Sequence, residues 1–532
     1  MMNSHKELLM RKALEEIPKI LTLADRNPHS PTYGCFDRNY WHYKIIDFPS
    51  GMSQEFVLPL ALAWEMESDS NLYYRREELA QWIKAGIRFA SQSSNADGSC
   101  DDYFPHEKAM GATAFSLYAF LRVIELLSIT DQDILTFAAL RAKFLAGYDE
   151  SGRLSNHQAL VALCLFLAAD ILGEPGFAAA GQKRLQKLLT WQNKEGWFYE
   201  YQGCDPGYLT LTLSLLAEIH LRGYHAGLLH SLEKAVDFLD NFVHPDGSFG
   251  GEYTSRNTYN FFPHGFEMLG GSLPKCLNIT ERFYRGLQNG KAACYADDHI
   301  IGHHCWSYLL ACRHFNDLRP QSAEPLDGMR HFRDAGLLVD RRQGYTLYVA
   351  LNKGGACKLF KKDQLLLSDT QFSLRVARQN KLGTVVGHLV DEYDTKVGED
   401  EIFIAGALGW AKQSVMTTPK LIMLRLLMIF GGRLFPNLIR SLLQKLLIVG
   451  KQKAPFNFKR WFKFEDGHWI IKDELRAAKG WNQVRSVGLG VDQTSIYVVM
   501  SRTFQSGQLA PWKELGKQKP SDGEPLILER KF

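Results

Sequence analysis

Four short stretches of this chain repeat one another: NADGSCDDY (95–103), YDESGRLSN (148–156), NKEGWFYEY (193–201) and HPDGSFGGEY (244–253). Each places a glycine after or near an acidic residue. Three of them close on an acid followed by tyrosine: Asp102-Tyr103, Glu200-Tyr201 and Glu252-Tyr253. The glycines Gly98, Gly152, Gly196 and Gly247 stand 54, 44 and 51 residues apart. A period near 50 is one helical hairpin plus its loop, and a hairpin that cannot bury its apolar face alone must stack on the next. The runs between the turns, GATAFSLYAFLRVIELLSI, HQALVALCLFLAADIL, YLTLTLSLLAEIHLRGYH and LLHSLEKAVDFLDNFV, have the apolar spacing of helices. Helix pairs at this period close into an (α/α) toroid whose inner helix starts and loops line a cleft on one face. The glycines provide turns of positive φ or close backbone approach.

From His331 the pattern shortens to strand-length runs, GYTLYVALN, ACKLFKK, TQFSLRVARQ, GTVVGHLVDEY, HWIIKDEL and SIYVVMSRTF, rich in β-branched and aromatic residues and separated by turn formers. The expected fold is therefore multidomain α and β. An N-terminal (α/α) toroid spans 1–316, and Pro320 and Pro325 mark a linker over 317–330. A C-terminal antiparallel β-sandwich over 331–532 carries a basic amphipathic helical insertion at about 412–463.

That insertion is where the charge is uneven. No Asp or Glu occurs from Ile402 to Phe464, while eleven Lys and Arg do, so the rest of a chain of net charge +4 carries about −7. Its uncharged runs fall well short of the roughly 20 residues a membrane-spanning helix needs. Two expectations follow: packed helices with solvated cations, or a surface element resting on an anionic membrane. The N-terminal stretch MMNSHKELLMRKALEEIPKI has no apolar centre of a secretory signal, and nine cysteines without a CxxC pair read as reduced thiols. The expected location is cytoplasmic, peripheral to the inner membrane face. No GxxxxGK[ST] loop and no GxGxxG after a strand occurs, and the basic tract is apolar between its cations, which argues against nucleotide chemistry and nucleic acid as a partner.

Ser155-Asn156-His157 precede an almost unbroken apolar helix. Ser or Asn explains an N-cap, but neither explains the imidazole beside them. A helix start offers free N–H donors and partial positive charge, a place for an anion. His106 and Glu107 precede the apolar helix of the previous repeat in the same way. Tyr208 follows CDPG at another helix start. The stretch GGEYTSRNTYNFFPHGFE gathers Tyr253, Arg256, Asn257, Tyr259 and His264, a composition suited to gripping sugar hydroxyls and carboxylates. Trp41 in RNYWHY and His303 in GHHCWSYLL are further cleft candidates. Adjacent histidines on a helix diverge by about 100°, so His303-His304, with Cys305 and Asp297-Asp298, are expected to face the cleft rather than hold a metal. No metal and no cofactor is expected.

Asn156-His157 at a helix start, then Gln192, Gly196, Glu200 and Tyr208, are similar to a motif of the heparinase II/III-like polysaccharide lyase superfamily. The resemblance covers about residues 30–315. It implies a carbon–oxygen lyase that abstracts the C5 proton of a uronate and β-eliminates the leaving oxygen. Asn156 and His157 then stabilise the carboxylate, Tyr208 moves the proton, and His106 joins the catalytic group. Substrate contacts fall to Glu107, Glu200, Tyr253, Arg256, Asn257, Tyr259, His264, Trp41 and His303. The implied partner is an acidic polysaccharide or lipid-linked glycan, in glycan or exopolysaccharide metabolism. Three alternatives stay open: a glycoside hydrolase using carboxylates among Asp101, Asp102, Glu200 and Glu252, a uronyl C5-epimerase, and a non-catalytic glycan-assembly protein. The stretch QNKEGW looks like the Gln-to-Trp motif of terpenoid cyclases, but the three-aspartate acid motif of those enzymes is missing.

Overall fold

The structure, a computed structural model, describes residues 4–200, 203–293, 300–320, 323–378, 381–390, 392–411, 415–432, 435, 452–491, 504, 509–510, 512–515, 520–521 and 523–532. The helical part begins with α1 (Ser4–Leu14), α2 (Ile17–Leu23) and the single turn α3 (Arg38–Trp41). Helices of two kinds then alternate: α4 (Val57–Glu65), α5 (Glu77–Ser93), α6 (Met110–Leu127), α7 (Gln132–Gly147), α8 (Ser155–Leu172), α9 (Pro175–Leu189), α10 (Pro206–Leu221), α11 (Leu229–Leu239), α12 (His264–Leu269), α13 (Pro274–Gln288) and α14 (Ile301–Arg313). Proline at the start of α9, α10 and α13 sits where its missing N–H costs nothing.

The even-numbered helices from α4 to α14 form an inner wall. Each touches the next, and α14 returns to α4, so the wall closes. Helices α5, α7, α9, α11 and α13 each back the inner helix before them, and α1 backs α14. The sequences follow this division. Helices α6 and α8 are long and apolar enough to cross a bilayer, yet both are mostly buried inside the ring, where a helix must be apolar all round. Outer helices such as α5 and α13 bury one stripe only.

The repeat glycines all have positive φ: 83° at Gly98, 96° at Gly152, 104° at Gly196 and 80° at Gly247. At three turns the chain closes on itself in the same way, Asn95 N–H donating to Ser99 O at 2.9 Å, Asn193 N–H to Trp197 O at 2.7 Å and His244 N–H to Ser248 O at 2.9 Å. A β-carbon on Gly196 would lie 2.2 Å from Lys234 O of α11, and one on Gly247 would lie 2.4 Å from Gly286 Cα of α13. These two turns are thus each seated on the outer helix of the following hairpin. A fifth turn at Asp25–Cys35, where a β-carbon on Gly34 would lie 2.3 Å from Ala85 O of α5, extends the repeat toward the N-terminus.

The β part holds two sheets. The first is an antiparallel meander of β1 (Gly328–Phe332), β2 (Leu337–Arg342), β3 (Tyr345–Ala350), β4 (Ala356–Lys361) and β5 (Gln364–Asp369). The second comprises β6 (Phe372–Arg378), β7 (Lys381–Val386), β8 (Tyr393–Val397), β9 (Glu401–Ala411), β10 (Lys453–Glu465), β11 (His468–Ala477), β12 (Val484–Gly490), β13 (Trp512–Glu514) and β14 (Leu526–Lys531), ordered β13-β12-β6-β7-β9-β10-β11-β14 with β8 beside β9. Leu338, Leu347, Val349 and Leu359 of the first sheet share a core with Leu374, Ile404, Phe458 and Phe462 of the second. The other face of the first sheet, through Leu337, Val339, Tyr348 and Phe360, joins the core of the ring. Strands β2 to β4 are therefore buried on both faces, which is why GYTLYVALN shows no polar alternation.

Two expected boundaries are corrected. The first strand starts at Gly328, inside the expected linker 317–330. The basic tract is not one helical insertion to residue 463. Helix α15 (Thr418–Leu427) and a π-helical turn (Met428–Gly432) are followed by strand β10 from Lys453. In β10 Ala454, Phe456, Phe458, Arg460 and Phe462 point inward at every second position, the period of a strand. Arg460 is wholly buried because Asp369 at 2.9 Å and Asp473 at 2.5 Å flank it, and Arg530 completes the cluster. Lys412, Arg433, Arg440, Lys445 and Lys451 lie outside the described residues, as do Tyr201, Asp297 and Asp298.

Candidate active site

The inner helices start at one end of the ring, the end that faces the first sheet, and the polar residues of the turns collect there. At the start of α8 the Glu200 carboxylate takes Ser155 N–H at 3.2 Å and Ser155 Oγ–H at 3.0 Å on Oε2. Its Oε1 meets no donor of standard geometry among the described residues. Burial pushes the Glu200 carboxyl up from its ordinary range, opposed by His157, Arg256 and Asn156. The neighbouring Asn156 is only 1% exposed. Its Nδ2 makes no hydrogen bond of standard geometry, although it lies close enough to favour the Glu200 carboxylate. His157, next in sequence, is at the solvent edge. Its Nδ1 meets Glu150 Oε1 at 2.6 Å, and its ring lies against Gly111 at the start of α6.

Tyr208 stands in the first turn of α10, half-buried against the ring core. One turn on, the Thr212 hydroxyl is 3.3 Å from that of Ser155, so the starts of α8 and α10 adjoin. The Asp205 side chain caps α10 through Tyr208 N–H at 3.1 Å and holds the next loop through Arg256 N–H and Thr254 Oγ–H, both at 2.9 Å. Asp205 thus ties Tyr208 and Arg256 to one carboxylate. From the first sheet, Lys353 Nζ donates to Glu252 O at 2.9 Å, Thr254 O at 2.8 Å and Asn257 Oδ1 at 2.5 Å, and burial lowers its pKa to about 8. His388 of the second sheet lies near this lysine. It donates Nδ1–H to Thr370 O at 2.9 Å, and burial lowers its pKa to about 4.

Of the residues expected in the cleft, Asn156, His157, Glu200 and Arg256 come together, with Tyr208 at the adjoining helix start. The others are placed differently. His106 N–H binds Asp101 Oδ2 at 2.7 Å in the loop before α6, and Glu107 accepts Tyr103 N–H at 2.8 Å to shape that loop. Tyr253 is buried at the domain contact, its hydroxyl 2.9 Å from His244 Nε2 and its ring stacked on Tyr348. Asn257 serves Lys353. Tyr259 bonds Glu252, which also pairs with Lys358 at 3.1 Å. His264 is deep in the ring, its Nδ1 2.7 Å from Ser307 Oγ, and burial lowers its pKa to about 3. Trp41 donates its indole N–H to Leu23 O at 2.8 Å. His303 pairs with the buried Glu55 and stacks on Phe115 at 4.0 Å, and Phe115 in turn meets His157 edge-on. Gln192 clamps the 193–197 turn to Ser231 of α11. Among the described residues no three metal-ligating side chains converge.

Four residues of this region were not among the expected ones. Asp205 carries a visible signal, an acid directly before a helix-starting proline. Glu150 precedes His157 in the same turn. Lys353 and His388 have no local signal, since only the packing of the sheets on the ring brings them here.

Solved structures share this architecture. The Paenibacillus xanthan lyase matches with a TM-score of 0.56 at 11% identity, over 92% of this chain and 47% of its own. A Streptomyces coelicolor A3 chondroitin AC lyase in complex with chondroitin sulphate matches with a TM-score of 0.52 at 12% identity, over 92% of this chain and 68% of its own. The chain has the fold of these two lyases. It spans about half the length of the xanthan lyase. Heparinase III matches with a TM-score of 0.49 at 11% identity, over 82% of this chain and 64% of its own. No protein-family model matches the sequence, and no curated protein sequence does.

Proposed function

We propose that the protein is a polysaccharide lyase that cleaves a uronate-containing glycan by β-elimination. The observation that carries this reading is the polar cluster buried at a helix start, where the Asn156 amide faces the Glu200 carboxylate near Arg256 and His157. A substrate carboxylate seated there meets the amide donor, the cationic guanidinium and a Glu200 that burial biases toward its protonated, donating form. Drawing charge from the carboxylate acidifies the C5–H bond, because the electron pair released at C5 spreads onto that group. Tyr208, as its phenolate, takes the C5 proton and becomes the neutral phenol. The C4–O bond then breaks, a C4–C5 double bond forms, and the same proton passes to the departing oxygen. Glu150 fixes the orientation of the His157 ring at the solvent edge.

The hydrolase alternative fares less well, because three of its four carboxylates are committed. Asp101 holds the 106–108 backbone, Asp102 accepts the Ser50 hydroxyl, and Glu252 is neutralised by Lys358. The deciding assay incubates the protein with a panel of soluble uronate polysaccharides and follows the ultraviolet absorbance of the unsaturated product. Tyr208→Phe should abolish the signal and spare binding. Silence on every uronate, or an undiminished rate in Tyr208→Phe, discards the lyase. Solvent hydrogen exchange at C5 without absorbance moves the assignment to an epimerase.

A further inference from the structure

Residues 415–432, between β9 and β10 in the chain, lie against the rim of the ring. Arg425 of α15 pairs with Asp47 at 3.1 Å and covers the Phe48 ring at 5.3 Å. Met428 is buried, and Gly432 lies beside the backbone of His106, in the loop that leads into α6. The opposite side of this segment is bare. Val415, Met416, Ile422, Met423, Leu426 and Phe430 are 77%, 58%, 55%, 67%, 50% and 70% exposed, and no residue of α15 is buried. Contiguous open patches of large apolar side chains mark interaction surfaces.

Charge identifies the occupant. The sequence from 402 to 464 holds no carboxylate, while Lys420 lies within the exposed helix and further cations flank it along the chain. A second copy of this surface would set cation against cation. An anionic bilayer meets both halves of the composition: phosphate headgroups face Lys420, and the acyl boundary takes the methionine, isoleucine, leucine and phenylalanine side chains. At ten residues, about 15 Å, α15 is too short to cross a hydrocarbon core of about 30 Å. It can only lie in the interface.

We propose that α15 and the turn after it, residues 415–432, form a peripheral docking surface for anionic lipid bilayers. The surface adjoins Asp47, Phe48 and the loop of His106 at the rim of the candidate cleft. Docking there holds the cleft beside glycans carried at the membrane, and that consequence, unlike the docking itself, rests on the lyase reading.

The test is co-sedimentation of the full chain with vesicles of phosphatidylcholine alone and of phosphatidylcholine with phosphatidylglycerol. Binding is expected only to the anionic vesicles, weakening as salt rises from about 0.05 to about 0.5 M. The double variant Ile422→Glu/Phe430→Glu should lower the bound fraction about tenfold or more. Both positions are exposed, so its melting temperature should match the parent. Equal recovery with both vesicle types, or full binding by the double variant, overturns the proposal. A solution dimer that this variant dissolves, without vesicle binding by the parent, assigns the surface to a second copy and overturns it too. Tyr208→Phe should bind vesicles like the parent, so a protein that docks yet never cleaves a uronate sinks the lyase reading alone.

Discussion

Asn156 and Glu200 face each other, buried, at the start of α8, and removing one partner of a buried polar pair costs a folded protein about 1–3 kcal/mol. Asn156→Ala is expected to lower kcat by about two to three orders of magnitude, the range seen on losing one oxyanion donor, with a loss of stability no larger than that cost. A larger fall in the urea denaturation midpoint, with activity falling only in step, would show a structural asparagine instead. Glu200 gives the pH dependence its sign. Its carboxyl is raised by burial, so the proton it offers is present below that raised pKa and lost as pH climbs through it. Activity should fall on the alkaline side, and Glu200→Gln, which stays neutral, should flatten that limb in a pH–rate profile. At this scale the sequence was legible wherever a polar residue interrupts an apolar run, as at Asn156 and His157. It was opaque for Tyr253 and His264, where an aromatic or imidazole in a polar stretch serves equally well as core, and the burial that decides between these uses is a property of the packed ring.

The turns show which part of a repeat is spacing and which is contact. Gly196 and Gly152 share a positive φ, but a β-carbon at Gly196 collides with the α11 backbone, whereas at Gly152 its nearest neighbour is Leu154 Cδ1 at 3.5 Å. Gly152→Ala should cost only the backbone penalty, about 1–2 kcal/mol, and Gly196→Ala clearly more, as read from urea denaturation midpoints. Equal costs would mean that the turn does not rest on the next helix. The helical hairpins were legible from these glycines and the apolar runs between them. Strand β10 was not, because eleven cations in one tract drew attention to charge and hid the alternation of Ala454, Phe456, Phe458, Arg460 and Phe462. An inward arginine looks like a break in that pattern until Asp369, Asp473 and Arg530, from three other strands, surround it.

Across the whole molecule the first sheet is a wall shared by ring and second sheet, and Lys353 and His388 sit close to that junction. His388 and His264 are held neutral, with pKa values lowered to about 4 and about 3 from 6.5, so the unfolded chain takes up protons first as pH falls. Stability should be lost from about pH 6.5 down to about pH 4, at up to about 1.4 kcal/mol per unit for each histidine. Urea midpoints across that range, compared with those of His388→Gln, check the slope, and a variant with an unchanged slope would exclude this residue as a cause. The ring has a last consequence, in time rather than in space. Its closure joins Glu55 to His303 across 248 positions of sequence. A ribosome adding about 5–20 residues per second needs on the order of tens of seconds to cover that interval. Throughout it α4 has no α14 to cover its flank, and the rim of the cleft is still open when five inner helices have already been made. Assembly of the end that carries the candidate site is thus set to be a late event of synthesis, and a nascent chain stalled before residue 301 should be held by chaperones more strongly than one stalled after residue 361, where α14 and strands β1 to β4 have also been made.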